Sequence, residues 1–156
     1  MKSSILLFAV VSSVFYAARL LHLPLSVAWA LQGAVSVAAL AGLVWVYWKR
    51  RDPALSLAYF VTATFLVTPY ILNYDMVALG FVVALLRDRA DNTMRDHQLL
   101  IALWTLPVTM MFAALVFIPL GPIVLIWFGW RLLQRLAQSE GREAEALPGQ
   151  AAPAAA

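Results

Sequence analysis

Residues 25–48 run without a single Asp, Glu, Lys, Arg or His, and they stop against Lys49-Arg50-Arg51-Asp52. Read as a helix, an uncharged apolar stretch of that length crosses the roughly 30 Å hydrocarbon core of a bilayer. Composition extends the same constraint to the whole chain, because hydrophobic residues make up 63% and charged residues 12%. With a mean hydropathy of +0.83, there are too few charges to clothe a water-soluble surface. The expected class is therefore an integral membrane protein.

Five further apolar segments accompany residues 25–48: 5–21, 54–72, 76–86, 99–118, and a last one from about residue 120. The last becomes amphipathic after Trp130, where Arg131 and Arg135 alternate with Leu132, Leu133 and Leu136. These segments predict an all-α, polytopic transmembrane helix bundle of about six membrane segments over residues 1–137. A disordered tail rich in Ala, Glu, Gly and Pro is expected over residues 138–156. Segment 76–86 is short for a span, so it either borrows residues 71–75, crosses a thinned bilayer or is re-entrant. Lys2 and the apolar run that follows also have the make-up of a signal peptide, but residues 12–21 offer no convincing cleavage site before Arg19.

Short connections at His22-Leu23-Pro24, Asn73-Tyr74-Asp75 and residues 119–122 imply antiparallel neighbours, with Pro and Gly stopping the helices. These three turns share one side. Almost every Lys and Arg falls on the other, from Lys49, Arg50 and Arg51 through Arg87, Arg89 and Arg95 to Arg131, Arg135 and Arg142, leaving Arg19 with the turns. Positive charge marks the cytoplasmic side. Both termini are then cytoplasmic and the turns extracytoplasmic. Trp45, Tyr47, Trp48, Trp127 and Trp130 adjoin basic residues as an interfacial belt does, and Ala30, Ala34, Ala38 and Gly42 form a small-residue stripe suited to helix packing.

Sidedness sorts the polar residues. Asp52, Asp88, Asp91, Asp96 and the glutamates fall on the cytoplasmic side, most simply as a solvated loop, whereas Asp75 is the one carboxylate expected among the turns. With it come Arg19, His22, Tyr70, Asn73 and Tyr74, and Gln32 lies deeper. Each has a plain structural reading: Asp75 as a helix cap, Arg19 snorkelling, His22 in the headgroups, Gln32 as an interhelical hydrogen bond. Together they suit an anionic, hydroxyl-rich ligand such as a lipid-linked sugar phosphate. A lone intramembrane Asp beside an Arg is also a relay element of proton-coupled transporters. The absence of cysteine excludes thiolate chemistry and disulfides. Paired carboxylates for glycoside hydrolysis, a His-Glu-x-x-His motif and a Gly-rich phosphate loop are all missing, and no cofactor, metal or nucleic-acid partner is implied.

The run Ser13-Val14-Phe15-Tyr16-Ala17-Ala18-Arg19-Leu20-Leu21-His22-Leu23-Pro24, then residues 28–32, the basic end at Lys49, and Ala63-Thr64-Phe65-Leu66-Val67-Thr68-Pro69-Tyr70 leading into Asn73-Tyr74-Asp75, resembles the C-terminal membrane portion of glycosyltransferase family 87. The resemblance covers roughly residues 13–86. It implies a multi-pass enzyme of the GT-C class in the bacterial inner membrane, similar to alpha-mannosyltransferases that take a hexose from a polyprenyl-phosphate donor outside the cytoplasm. Arg19 and His22 are then expected to serve the donor phosphate. Asn73, Tyr74 and Asp75 are expected to hold sugar hydroxyls or the acceptor, and Gln32 and Tyr70 complete the expected substrate-binding set. The family's acidic first extracytoplasmic loop has no counterpart here, so no residue takes the catalytic-base role. The chain is accordingly expected to be a C-terminal portion incomplete on its own, from a truncated gene, a split gene or a start site called too far downstream, with membrane lipid and, for a split gene, an N-terminal chain as partners. A small transporter subunit and a non-enzymatic assembly protein are the competing classes.

Overall fold

The computed structural model describes residues 13–49, 52–70, 73–115 and 118–146, and all regular secondary structure within them is helical. The elements are α1 (Val14–Leu20), α2 (Leu25–Trp48), α3 (Pro53–Val67), a 3₁₀ turn (Asn73–Met76), α4 (Val77–Leu86), α5 (Met94–Leu115) and α6 (Leu120–Ala146). The first half of the expected segment 5–21 and the tail beyond 146 lie outside the described residues. Helix α6 runs on to Ala146, past the expected tail boundary at 138.

Local chemistry accounts for the helix limits. Ser13 caps α1, its hydroxyl accepting from the Tyr16 N–H at 3.3 Å. Asp52 caps α3 through Oδ1, which accepts from the N–H groups of Ala54 and Leu55 at 2.9 and 3.0 Å, and Pro53 takes the first helical position where no N–H is needed. Helix α3 ends at Thr68 because Pro69 pushes the preceding residue into extended backbone, with ψ of 118°. Thr93 and Asp96 form a capping box at the start of α5: Thr93 N–H donates to Asp96 Oδ2 at 2.8 Å, and Asp96 N–H to Thr93 Oγ1 at 3.3 Å.

Consecutive helices pack on one another, and α6 turns back to pack on α3 and α2 as well as α5. Helix α3 lies at the centre, touching α2, α4 and α6 and burying Leu55, Ala58, Tyr59, Thr62, Ala63, Phe65 and Leu66. Helix α6 meets it with Leu125, Phe128, Leu132 and Leu136, a stripe at helical spacing. Helix α1 stands apart from this core. It shares only a small cluster of Phe15 and Ala18 with Ala28 of α2.

The surface is apolar over much of its area. Val37 and Val44 on α2, Trp104, Val108 and Phe112 on α5, and Ile123, Trp127 and Trp130 on α6 are all exposed, while Gln32, Thr62, Asp96 and Arg135 are buried. Among the described residues, α2 is the one helix that meets the length and composition of a membrane span, and most of it faces outward. A core helix of a water-soluble domain would bury its apolar side chains instead. Helix α4 is the short element anticipated from sequence; with the 3₁₀ turn before it, the pair rises about 23 Å.

Candidate functional site

By the order of the helices, Arg19, His22, Tyr70, Asn73, Tyr74 and Asp75 belong to the end of the bundle where α1 turns into α2 and α3 leads to α4, and Gln32 lies about two turns further into α2. At the end of α1, His22 adopts φ of 60°, donates its N–H to Arg19 O at 3.1 Å, and lets the Leu23 N–H reach Ala18 O at 3.1 Å. This pair of bonds is the Schellman motif. Arg19 closes the same turn, Nη1 donating to Leu23 O at 2.8 Å, and its guanidinium makes no other bond among the described residues. A guanidinium carries five N–H donors, so most of Arg19's remain open.

Tyr16 stands one turn before Arg19 on α1, and its ring meets Tyr70 edge-on with centroids 6.1 Å apart. Phe15 and Trp29 continue the aromatic row at 4.6 Å. Tyr70 is otherwise exposed. Tyr16 belongs with this group on geometry, although sequence reasoning did not single it out; the i, i+3 spacing from Tyr16 to Arg19 was the available signal.

Of the two readings open for Gln32, a ligand contact or an interhelical hydrogen bond, the structure shows the hydrogen bond. Gln32 is 3% exposed, and its amide is spent between helices. Oε1 accepts from Phe15 N–H at 3.1 Å, while Nε2 donates to Leu66 O at 3.0 Å and lies 3.2 Å from Ser36 Oγ and 3.3 Å from Val67 O. Gln32 thus satisfies an orphan N–H at the start of α1 and orphan carbonyls at the end of α3. Asp75 is exposed within the 3₁₀ turn and does not take the N-cap position of α4, which is Met76. Asn73 and Tyr74 belong to the same turn by backbone, and their side chains lie outside the described residues.

At the opposite end the structure corrects the expectation of a solvated acidic loop. Arg89 forks onto Asp52, Nη1 to Oδ1 at 3.2 Å and Nη2 to Oδ2 at 2.9 Å, and its Nε reaches Asp91 Oδ1 at 3.0 Å. Arg131 donates from Nε to Asp96 Oδ1 at 2.8 Å, and Arg135 Nη2 lies 2.7 Å from Asp91 Oδ2. Asn92 joins both sides: its Nδ2 donates to Leu86 O, the last carbonyl of α4, at 2.6 Å, and its Oδ1 accepts from Arg135 Nη1 at 2.8 Å. Asp96 is 5% and Arg135 7% exposed. The α4–α5 connection is therefore a clasp that ties α3, α4, α5 and α6 together. Thr93-x-x-Asp96 ahead of an apolar run, and Asp52 directly before Pro53, were the sequence signals for it.

Electrostatics suit a clasp better than proton transfer. Burial opposes charge on Asp96, yet the Arg131 hydrogen bond, the Thr93 N–H and hydroxyl, and the nearby Arg135 outweigh it and hold the carboxyl at about 2. Burial likewise acts upward on Asp52, and Arg89 with the Leu55 and Ala54 N–H groups turns the net shift downward. Hydrogen bonds from Arg89, and then from Arg135, hold Asp91 well below the usual carboxylate range. All three stay ionised near neutral pH, where a general acid would need its proton. Among the described residues no cluster of His and carboxylate groups of a size to hold a metal ion occurs.

No protein-family model, curated protein or solved structure matches the chain.

Proposed function

We propose that the chain is a multi-pass membrane bundle forming the C-terminal part of a glycosyltransferase that takes a hexose from a polyprenyl-phosphate donor. The clasp faces the cytoplasm and the turn end faces outward. The observation that supports this most is the turn end itself. There Arg19, with most of its donors open, stands one helical turn from the Tyr16–Tyr70 ring pair, on the side of the bundle to which Asp75 also belongs. A cation near phenols, with a carboxylate on the same side of the bundle, is the kind of chemistry an inverting transfer uses around a phosphate leaving group and sugar hydroxyls. The outward apolar side chains on α2, α5 and α6 support the bilayer setting.

The roles follow from the chemistry. Arg19 and His22 hold the donor phosphate, Tyr70 and Asp75 hold sugar or acceptor hydroxyls, and the catalytic base comes from elsewhere. Gln32 contributes by fixing α1, and with it Arg19, against α2 and α3. The test is transfer from polyprenyl-phosphate mannose in membranes of the native cell carrying Arg19→Ala or Asp75→Asn. At least a tenfold loss with unchanged helical content is expected; unchanged rates sink the reading. Asp75-dependent solute flux in liposomes would instead identify a transporter subunit. The exposed stripe of Ala30, Ala34 and Ala38 favours assembly with another membrane helix as the second reading, and crosslinking along α2 without any transfer activity would select it.

A further inference from the structure

Where α5 and α6 meet near the clasp, a groove of about 430 Å³ opens to the surface. Its lining is ordered along the helices. Arg95 and Gln98 in the first turns of α5, and Arg131 and Gln134 on α6, form its rim toward the charged end; Ala102 and Trp127 lie about one helical turn further toward the middle of the bundle. Among the described residues the side chains of Arg95, Gln98 and Gln134 have no hydrogen-bond or ion-pair partner, and Arg131 leaves Nη1 unused beyond its bonds to Asp96 and Thr93. Among the described residues the rim therefore offers the unpaired guanidinium of Arg95, the unused Nη1 of Arg131 and two unpaired amides, while Asp96 beneath it is already paired with Arg131.

We infer that this groove binds an anionic membrane phospholipid, its phosphate held by Arg95, Arg131 and the two amides and one acyl chain lying on Ala102 and Trp127. Two features together single out a lipid. The unpaired donors complement a phosphate, and the change from polar to apolar lining along the groove matches the change from headgroup to chain. A soluble anion has no use for the apolar half. The inference needs the bundle to lie in a bilayer with this end at the interface and does not depend on glycosyl transfer. Lipid bound here braces α5 against α6 beside the Asp96–Arg131 pair, so the clasp becomes sensitive to lipid composition.

Native mass spectrometry of the full chain in detergent, titrated with phosphatidylglycerol or phosphatidylcholine, tests this. Phosphatidylglycerol is expected to bind more tightly, and Arg95→Ala to weaken it by about fivefold, the scale of one arginine at an anionic surface. Arg95→Lys should restore much of the loss, and Gln134→Leu should weaken binding further. Arg87→Ala, on the far side of α5 from this groove, serves as the control and should leave affinity unchanged. Equal affinity for the two lipids, or an unchanged affinity in Arg95→Ala, overturns the proposal. So does full competition by millimolar inorganic phosphate, which would mark a soluble-anion site. Neither Arg95 nor Gln134 takes part in the clasp, so the variants should fold, and thermal unfolding without added lipid checks that they do.

Discussion

His22 holds the left-handed φ of 60° that the end of α1 requires, a conformation that costs a residue with a Cβ about 1–2 kcal/mol. His22→Gly should therefore stabilise the protein by roughly 0.5–1 kcal/mol net of the added freedom of the unfolded chain, read as a higher midpoint of thermal unfolding in detergent. If His22 also contacts donor phosphate, the same variant will be more stable and less active, a pairing that a purely structural role does not produce. Gly42 makes the opposite case. A methyl group there would run into the Tyr59 hydroxyl, which is fixed by donation to Ala39 O at 3.2 Å. Gly42→Ala should cost about 1–3 kcal/mol, and adding Tyr59→Phe should recover part of it. Gly129 has only ordinary contacts at that point, so Gly129→Ala should change stability far less in the same assay. The regular spacing of Ala30, Ala34, Ala38 and Gly42 made these positions visible in the sequence as a stripe. It gave no hint that Gly42 alone faces an internal partner while the three alanines stay exposed.

At the scale of elements, α1 is the weakly attached helix. It has seven residues, its own small cluster with α2, and a polar tie across to α3 through Gln32. Gln32→Leu keeps the volume but strips partners from the Phe15 N–H and from carbonyls of α3, at a cost of about 1–3 kcal/mol. Hydrogen exchange should reveal it locally: amides at the start of α1 should lose protection while those of α3 and α6 keep theirs. Uniform loss across the bundle would show that α1 is part of the main cooperative unit. Sequence reasoning placed Gln32 correctly within the apolar part of α2 and left open whether it met a ligand or a helix. That choice depends on where the first turn of α1 and the last turn of α3 come together, 17 and 34 residues away along the chain, and no local pattern carries such distances.

For the whole molecule, the clasp at the charged end sets the response to acid. Asp96 is held at about 2, below its unfolded value of about 4, so its contribution is fully present above about pH 4 and is lost as pH falls through about 2. Asp52 and Asp91 shift in the same direction and add to the loss. The thermal midpoint in detergent should fall over that window, and Asp96→Asn should flatten the fall while costing about 1–3 kcal/mol at neutral pH by leaving the half-buried Arg131 guanidinium without its carboxylate. Much of this molecule was legible beforehand. Apolar runs bounded by Pro, Gly and charge located the helices, because helix length and termination are local properties of the chain, and the segregation of Lys and Arg separated the two ends. The start of the last helix at Leu120 was read directly, and the brevity of α4 followed from so few residues between Asp75 and Arg87. Which acid pairs with which arginine was not legible, since Asp52 meets Arg89 and Asp96 meets Arg131 across 37 and 35 residues. An interleaved Arg-Asp loop looks the same in sequence whether water or protein neutralises it. The sequence by itself determined an all-helical, apolar chain with its charges gathered at one end. Only the tertiary structure decided that α6 returns to α3 and draws those charges into a paired clasp with Asp96 and Arg135 buried, because burial and pairing depend on which helix faces arrive together.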